Sequence, residues 1–201
     1  MFKSIKENAT AEVVEKKSKF IANVFYIESK KEAEDLIKTI NKKYHDARHN
    51  CYAYRIITKD GIIEKASDDG EPSGTAGVPM LTILSKNELA NVLVIVTRYF
   101  GGILLGTGGL VKAYSEACSL GLEKAGILEK YVAKVYRIEI GYSDLDKFKY
   151  IARNNDIIIL NEEYLENVIL EIGIKEKELL ENISQNEINL RKIQFLKEKY
   201  I

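Results

Sequence analysis

Five glycines crowd into the nine residues from Gly101 to Gly109 (GGILLGTGG), three residues after a run rich in β-branched residues and directly before a regular helical stripe. Glycine has no Cβ, so consecutive backbone N–H groups there can turn into one concavity. The first N–H groups of the helix that follows lack partners within it and sit at the positive end of its dipole. The chemistry this predicts is recognition of an anion, phosphate above all. Arg98 and Tyr99 lead into the turn, and Thr107 and Lys112 add donors. The expected anion or RNA site is therefore Arg98, Tyr99, Gly101, Gly102, Gly106, Thr107, Gly108, Gly109 and Lys112. The bland alternative is that the glycines only let a buried strand turn tightly into a close-packed helix. Neither familiar phosphate fingerprint fits. Gly101 and Gly106 have P-loop spacing, but Thr107 and Gly108 stand where Lys and Ser/Thr belong, and Val111 replaces the third small residue of the dinucleotide pattern.

A second cluster, Asp68, Asp69, Gly70, Glu71, Pro72, Ser73, Gly74 and Thr75, could array its carboxylates for a divalent cation or for general base work. The same residue types also build turns on their own. Asp68, Asp69, Glu71, Ser73 and Thr75 are kept as an acidic-loop site. His45 and His49 lie in H-D-A-R-H, with Asp46 in place of the glutamate base of H-E-x-x-H, and the preceding helix ends near Tyr44, so the two rings need not share a face. No metal site and no cofactor is expected. Lys16, Lys17, Lys19, Arg48, Arg55, Arg98 and Lys112 interleave with Phe20, Tyr52, Tyr54, Tyr99 and Phe100, a mixture suited to RNA. Charges alternating outward from a core face give the same pattern. Lys19, Arg48 and His49 are the supporting residues of the candidate site.

Those residues need elements to hold them. Thr10–Val14 and Phe20–Tyr26 read as a hairpin, with Phe20, Ala22, Val24 and Tyr26 on one face. Ser29 with Glu32 forms a capping box for a helix over 30–43 carrying Ala33, Leu36, Ile37 and Ile40. Cys51–Ile57 and Ile62–Ala66 are strands joined at Lys59, Asp60 and Gly61. After the loop Ser67–Val78, Pro79 opens a short helix through Leu84. Val92–Thr97 is an uncharged run, β-branched at all positions but Leu93, the mark of a strand buried on both faces. Leu110, Ala113, Tyr114, Ala117, Cys118 and Leu122 form the stripe of the next helix, which stops at Gly126.

From Tyr131 the texture changes: glycine is sparse and proline, cysteine and histidine are absent. Strands at 132–140, 156–161, 166–172 and 190–196, with helices near 144–154 and 175–184, give the order strand, helix, strand, strand, helix, strand. That predicts a ferredoxin-like domain. The expected division is residues 1–130 and 131–201, and the class is α+β.

Composition bounds the rest. With 46% hydrophobic and 30% charged residues and only 2 Pro, the chain is packed and globular rather than disordered. Its longest uncharged stretch, Pro72–Ser85, is too short and polar to span a bilayer, and Met1–Glu7 does not read as a secretion signal, so a cytoplasmic location is expected. Cys51 and Cys118 have no C-x-x-C spacing and fit a reducing compartment. Residues 1–130 hold 19 basic and 17 acidic side chains, a net +2, and the remainder holds 11 and 13, a net −2. Neither half shows the strongly basic balance of a general nucleic-acid binder.

The segments SDDGEPSGTAGVP (67–79) and VTRYFGGILLGTGGLVKAY (96–114) resemble the signature of the YigZ/IMPACT family. Lys17, Ser18, Lys19 and Phe20, and His49, Cys51, Tyr52 and Ala53, are similar to it as well, so the resemblance covers nearly all of the front domain. It implies a left-handed β-α-β fold for that domain, as in the second domain of a ribosomal small-subunit protein and the fourth domain of elongation factor G. For the rear it implies a ferredoxin-like fold similar to that factor's fifth domain. It also implies a link to translation control, which eukaryotic relatives exert through a ribosome-associated activator of an initiation-factor kinase and an additional N-terminal domain. The expectation is an RNA- or ribosome-binding protein that regulates translation, not an enzyme and without a membrane partner. The alternative is a hydrolase of phosphoester or peptide bonds that uses the same anion cradle with acidic-loop carboxylates.

Overall fold

The computed structural model describes residues 1–175, 180, 183 and 188–201. Two units, Phe2–Glu129 and Lys130–Ile201 with Met1, each surround a core of their own. Both mix strands with helices, so the chain is α+β.

A short strand β1 (Phe2–Ile5) precedes the hairpin of β2 (Ala9–Glu15) and β3 (Ser18–Tyr26). The hairpin turns through Lys16 and Lys17, both at positive φ (45° and 66°), as a two-residue turn matched to strand twist requires. Helix α1 (Lys30–Lys43) begins at Ser29, whose Oγ accepts the Glu32 N–H at 3.2 Å. The Glu32 carboxylate reaches back to the N–H of Glu28 at 2.6 Å, a capping box displaced by one residue. Strands β4 (His49–Thr58) and β5 (Gly61–Ser67) pair across Lys59 and Asp60. Helix α2 (Gly77–Lys86) leads to β6 (Val92–Tyr99), which slots between β3 and β4 and completes the antiparallel order β2-β3-β6-β4-β5.

The central position of β6 explains its composition. Val92 to Val96 are all fully buried, each worth about 1.5–3 kcal/mol by removal from water. Side chains alternate along the strand. Val92, Val94 and Val96 join Phe20, Ala22, Val24, Cys51 and Ala53 under α2 and α3, while Leu93 and Ile95 join Tyr54, Ile56, Ala33 and Ile40 under α1. The same alternation sends Arg98 to the α2 and α3 face and Tyr99 to the α1 face. Helix α3 (Gly106–Ala125) buries Leu110, Ala113, Tyr114, Ala117, Cys118 and Leu122 and stops at Gly126, φ 67°. Strand β7 (Ile127–Lys130) then pairs with β1.

In the rear unit β8 (Val132–Ile140) is followed by a 3-10 turn and α4 (Leu145–Asn154), then by β9 (Ile158–Tyr164), β10 (Val168–Ile174) and β11 (Lys192–Tyr200). The sheet order is β11-β8-β10-β9, in which β10 separates β8 from β9 and is antiparallel to both, a split β-α-β arrangement. Phe148, Ile151 and Ala152 of α4 pack on the even-numbered residues of β8 and β10. The helix expected over 175–184 lies largely outside the described residues; Leu180 and Ile183 belong to the core.

Several boundaries differ from the sequence expectation. Helix α2 starts at Gly77 rather than Pro79, because a carboxylate from the preceding loop satisfies its first N–H groups. Helix α3 starts at Gly106, so Thr107, Gly108 and Gly109 form its first turn instead of a loop before it. The strands expected at 156–161, 166–172 and 190–196 each begin two residues later, the first because Asp156 turns at φ 53°. Strands β1 and β7 were not expected at all: four-residue strands that pair across the whole front unit leave no local periodic signal.

Candidate functional site

Three strand ends converge on one spot. In the ladder Phe20 stands opposite Arg98, and Arg98 stands opposite His49, so all three occupy one rung on the α2 and α3 face. Arg98 is 7% exposed. Its guanidinium lies 5.5 Å from the Phe20 ring and 5.7 Å from that of Phe100, with a cation–π attraction to each. Nη1 donates to Glu71 Oε1 at 2.7 Å, and Tyr114 Oη donates to the same oxygen at 2.9 Å. Cys51 Sγ lies 2.9 Å from the Asp68 carbonyl and 3.3 Å from Tyr114 Oη. Burial, more than any neighbour, pushes the Cys51 thiol up to about 12 and the Tyr114 hydroxyl far above the ordinary phenol range. The thiol is therefore not a nucleophile at neutral pH.

The acidic loop is committed to this framework. Asp68 Oδ2 accepts the N–H of Gly74 at 2.8 Å, and Oδ1 accepts those of Ala76 at 3.0 Å and Gly77 at 2.8 Å. Partial burial alone would raise its pKa, but these three bonds outweigh it and hold the carboxyl below its ordinary value. Asp69 Oδ2 accepts the Asn50 N–H at 2.7 Å, and its carbonyl accepts from His49 Nδ1 at 2.7 Å. Glu71 holds Arg98, and Thr75 Oγ1 donates to the Pro72 carbonyl at 2.6 Å. Ser73 is exposed. No cluster of three potential metal ligands occurs among the described residues. The loop acts by positioning: it seats α2, orients His49 and fixes Arg98.

The glycine turn divides into a packed end and an open end. Gly101 donates its N–H to Ser18 Oγ at 3.1 Å, and a Cβ there would fall 2.0 Å from the Lys17 carbonyl carbon. Its glycine is thus required by the backbone of the β2–β3 hairpin. Gly102, Gly106 and Gly108 have no neighbour within 4 Å of such a Cβ, and Thr107, Gly108 and Lys112 are exposed. Leu105 at the N-cap of α3 gives no side-chain cap, and the first N–H groups of a helix lack partners within it.

A cavity of about 170 Å³ sits beside that helix start, lined by Arg48, His49, Arg98, Phe100 and Leu104. It brings together Arg48, His49, Arg98 and the turn. Tyr99 lies elsewhere, donating to Asp46 Oδ1 at 2.8 Å on the α1 face, and this bond is the main reason its hydroxyl is pushed up to about 12. Lys19 neighbours Tyr99 and pairs with Glu12 at 3.3 Å. Arg55 donates to the Leu89 carbonyl at 2.8 Å, in the segment between α2 and β6, and pairs with Glu64, so it does not join a basic surface. Sequence reasoning missed Tyr114 and Cys51 as supports and named Phe20 only among aromatics suited to RNA. Their apolar periodicity marked them as core, and only the pairing of Glu71 with Arg98 reveals the polar network. No described helix is long and apolar enough to cross a membrane.

Comparison with known proteins matches this geometry to a family. Residues 16–122 match the Impact N-terminal domain and residues 138–184 a domain of unknown function, DUF1949. The IMPACT family member YvyE of Bacillus subtilis is 41% identical over 175 residues, 87% of this chain and 80% of that protein. YigZ of Escherichia coli is 34% identical over 160 residues, 79% and 78% of the two chains. A crystal structure of a hypothetical protein aligns over 98% of both chains with a TM-score of 0.64 at 29% identity. A shorter match is to the IMPACT homolog of Dictyostelium discoideum, with 45% identity over 97 residues, 47% of this chain and 28% of that protein. With both domains matched in order and the glycine turn and acidic loop inside the first, the chain belongs to the IMPACT family.

Proposed function

We propose that this protein acts in the regulation of translation by binding RNA, alone or on the ribosome, through the front unit. One observation carries the reading: a helix start without a side-chain cap beside a cavity walled by Arg48, His49 and Arg98. N–H groups at a helix start favour phosphate, and guanidinium groups, that of Arg98 held by Glu71 and that of Arg48 exposed, add charge-assisted bonds. Thr107, Gly108, Gly109 and Lys112 contact backbone phosphate, and Phe100, 46% exposed, offers a ring for an unstacked base. Family membership supports the translational setting, since the resemblance of the glycine turn implies that link. A hydrolase working with acidic-loop carboxylates would first have to free Asp68 and Glu71 from the bonds that hold them.

Salt-dependent RNA binding tests the reading. Lys112→Glu weakens binding and lowers the slope of log K against log salt by about one. Unchanged affinity and slope in that variant refute the assignment.

A further inference from the structure

Two lysines form the turn that joins β2 to β3. Glu15 pairs with Ser18, so Lys16 and Lys17 are the whole loop, at φ 45° and 66°. Left-handed backbone is unfavourable for a residue with a Cβ, least so for Asn, and a two-residue turn of this kind ordinarily carries Asn-Gly. Asp69, Glu88 and Asn91 share the same backbone region, and each has a side-chain bond that serves the fold. Asp69 accepts the Asn50 N–H at 2.7 Å, Asn91 accepts that of Ile57 at 2.9 Å, and Glu88 pairs with Lys3 at 3.0 Å. Lys16 and Lys17 are exposed, and neither ammonium has a hydrogen bond or ion pair among the described residues. Nothing in the fold uses their charge.

The hairpin tip is fastened to the glycine turn. A Cβ on Gly101 would fall 2.0 Å from the Lys17 carbonyl carbon, and the Gly101 N–H donates to Ser18 Oγ at 3.1 Å. Lys19, the next cation along, is taken up by Glu12 at 3.3 Å. Arg48, which lines the cavity beside Phe100 and Leu104, and Lys112, in the first two turns of α3, are exposed and also without an ion pair among the described residues. Uncompensated positive charge spread along one end of a sheet suits a polyanion better than a single small anion. We propose that Lys16 and Lys17 form a second phosphate contact for RNA, so that one strand runs from the start of α3 across the glycine turn to the hairpin tip. Lysine suits the task, since a point charge on a flexible stem follows a phosphate backbone without demanding one geometry. The inference rests on the RNA reading above and adds a contact which that reading does not use.

A variant that improves the turn while removing its charge tests this. Lys16→Asn with Lys17→Gly should raise the melting temperature, because the contacts with Gly101 run through the backbone of residue 17 and through Ser18. A short single-stranded RNA, titrated over a range of salt concentrations, should bind the variant several-fold more weakly. The slope of log K against log salt should fall by about 1.4, the share of two phosphate contacts on a single strand. Lys16→Arg with Lys17→Arg should keep the slope of the parent. Lys31→Gln with Lys38→Gln, on the exposed face of α1, removes the same net charge and should keep it too. An unchanged slope in the turn variant, while Lys112→Glu still lowers it, overturns the inference and leaves the RNA reading standing. An equal fall in the α1 variant overturns it as an effect of net charge alone, and a lowered melting temperature in the turn variant overturns it by showing that the lysines serve the fold. If the parent binds no RNA, both readings fall together.

Discussion

Glu71 and Arg98, 27 residues apart in the chain, meet at 2.7 Å with side chains only 3% and 9% exposed. Removing one member leaves the other charge buried and unpaired. Glu71→Ala should therefore cost about 3 kcal/mol or more in urea unfolding. Glu71→Gln, which keeps an acceptor for Arg98 and Tyr114, should cost less. Replacing both residues by methionine should recover part of the loss, and a double variant as unstable as Glu71→Ala would show that the pair is not the source.

Asp68 makes the acid limb of the stability profile predictable. Its folded carboxyl lies below the ordinary value, so its contribution is present above the unfolded pKa, about 3.9, and is lost as pH falls through the folded one. Asp68→Ala should cost roughly 2 kcal/mol at pH 7, since several N–H groups at the start of α2 lose their acceptor. The gap between parent and variant should close as unfolding midpoints are measured from pH 5 towards about pH 2. A gap independent of pH would contradict this account.

The two ends of the glycine turn should respond oppositely to one methyl group. Gly101→Ala drives a Cβ into the hairpin backbone and should destabilise by about 1–3 kcal/mol or more. Gly108→Ala meets open space within the first turn of α3 and should stabilise by up to about 1 kcal/mol through helix propensity. Thermal unfolding of the two variants side by side checks the contrast.

Both thiols should be silent in the folded protein. Burial pushes Cys51 and Cys118 up to about 12. Reaction with an aromatic disulfide reagent at pH 8 should be slow in buffer and become rapid only in denaturant, with both thiols released together. Fast reaction of one thiol in the native protein would mean that the Cys51–Tyr114 contact opens.

Much of this architecture is legible in the residues themselves. Ser29 and Glu32 announce α1, and the bounds of that helix coincide with the periodic stripe. The β-branched run at Val92–Thr97 identifies the strand with neighbours on both sides. Local signals fail where the partner is remote. Nothing near Gly77 indicates that Asp68, nine residues earlier, will seat the helix. Likewise, nothing near Gly101 shows that its missing Cβ serves Lys17. The candidate site was visible as a set of residue types but not as a set of neighbours, because strand alternation separates Arg98 from Tyr99 while the sheet order joins it to His49.

Backbone bonds from Lys6 to the Gly126 carbonyl at 3.0 Å and from Glu7 to that of Ala125 at 3.2 Å fasten the beginning of the front unit to its end. A body whose entry and exit lie side by side can be spliced into a surface loop of a carrier protein without spreading that loop. It can equally be given fresh ends at Lys59 and Asp60 by joining the old ones, so a chain reordered in this way should keep every strand of the five-stranded sheet.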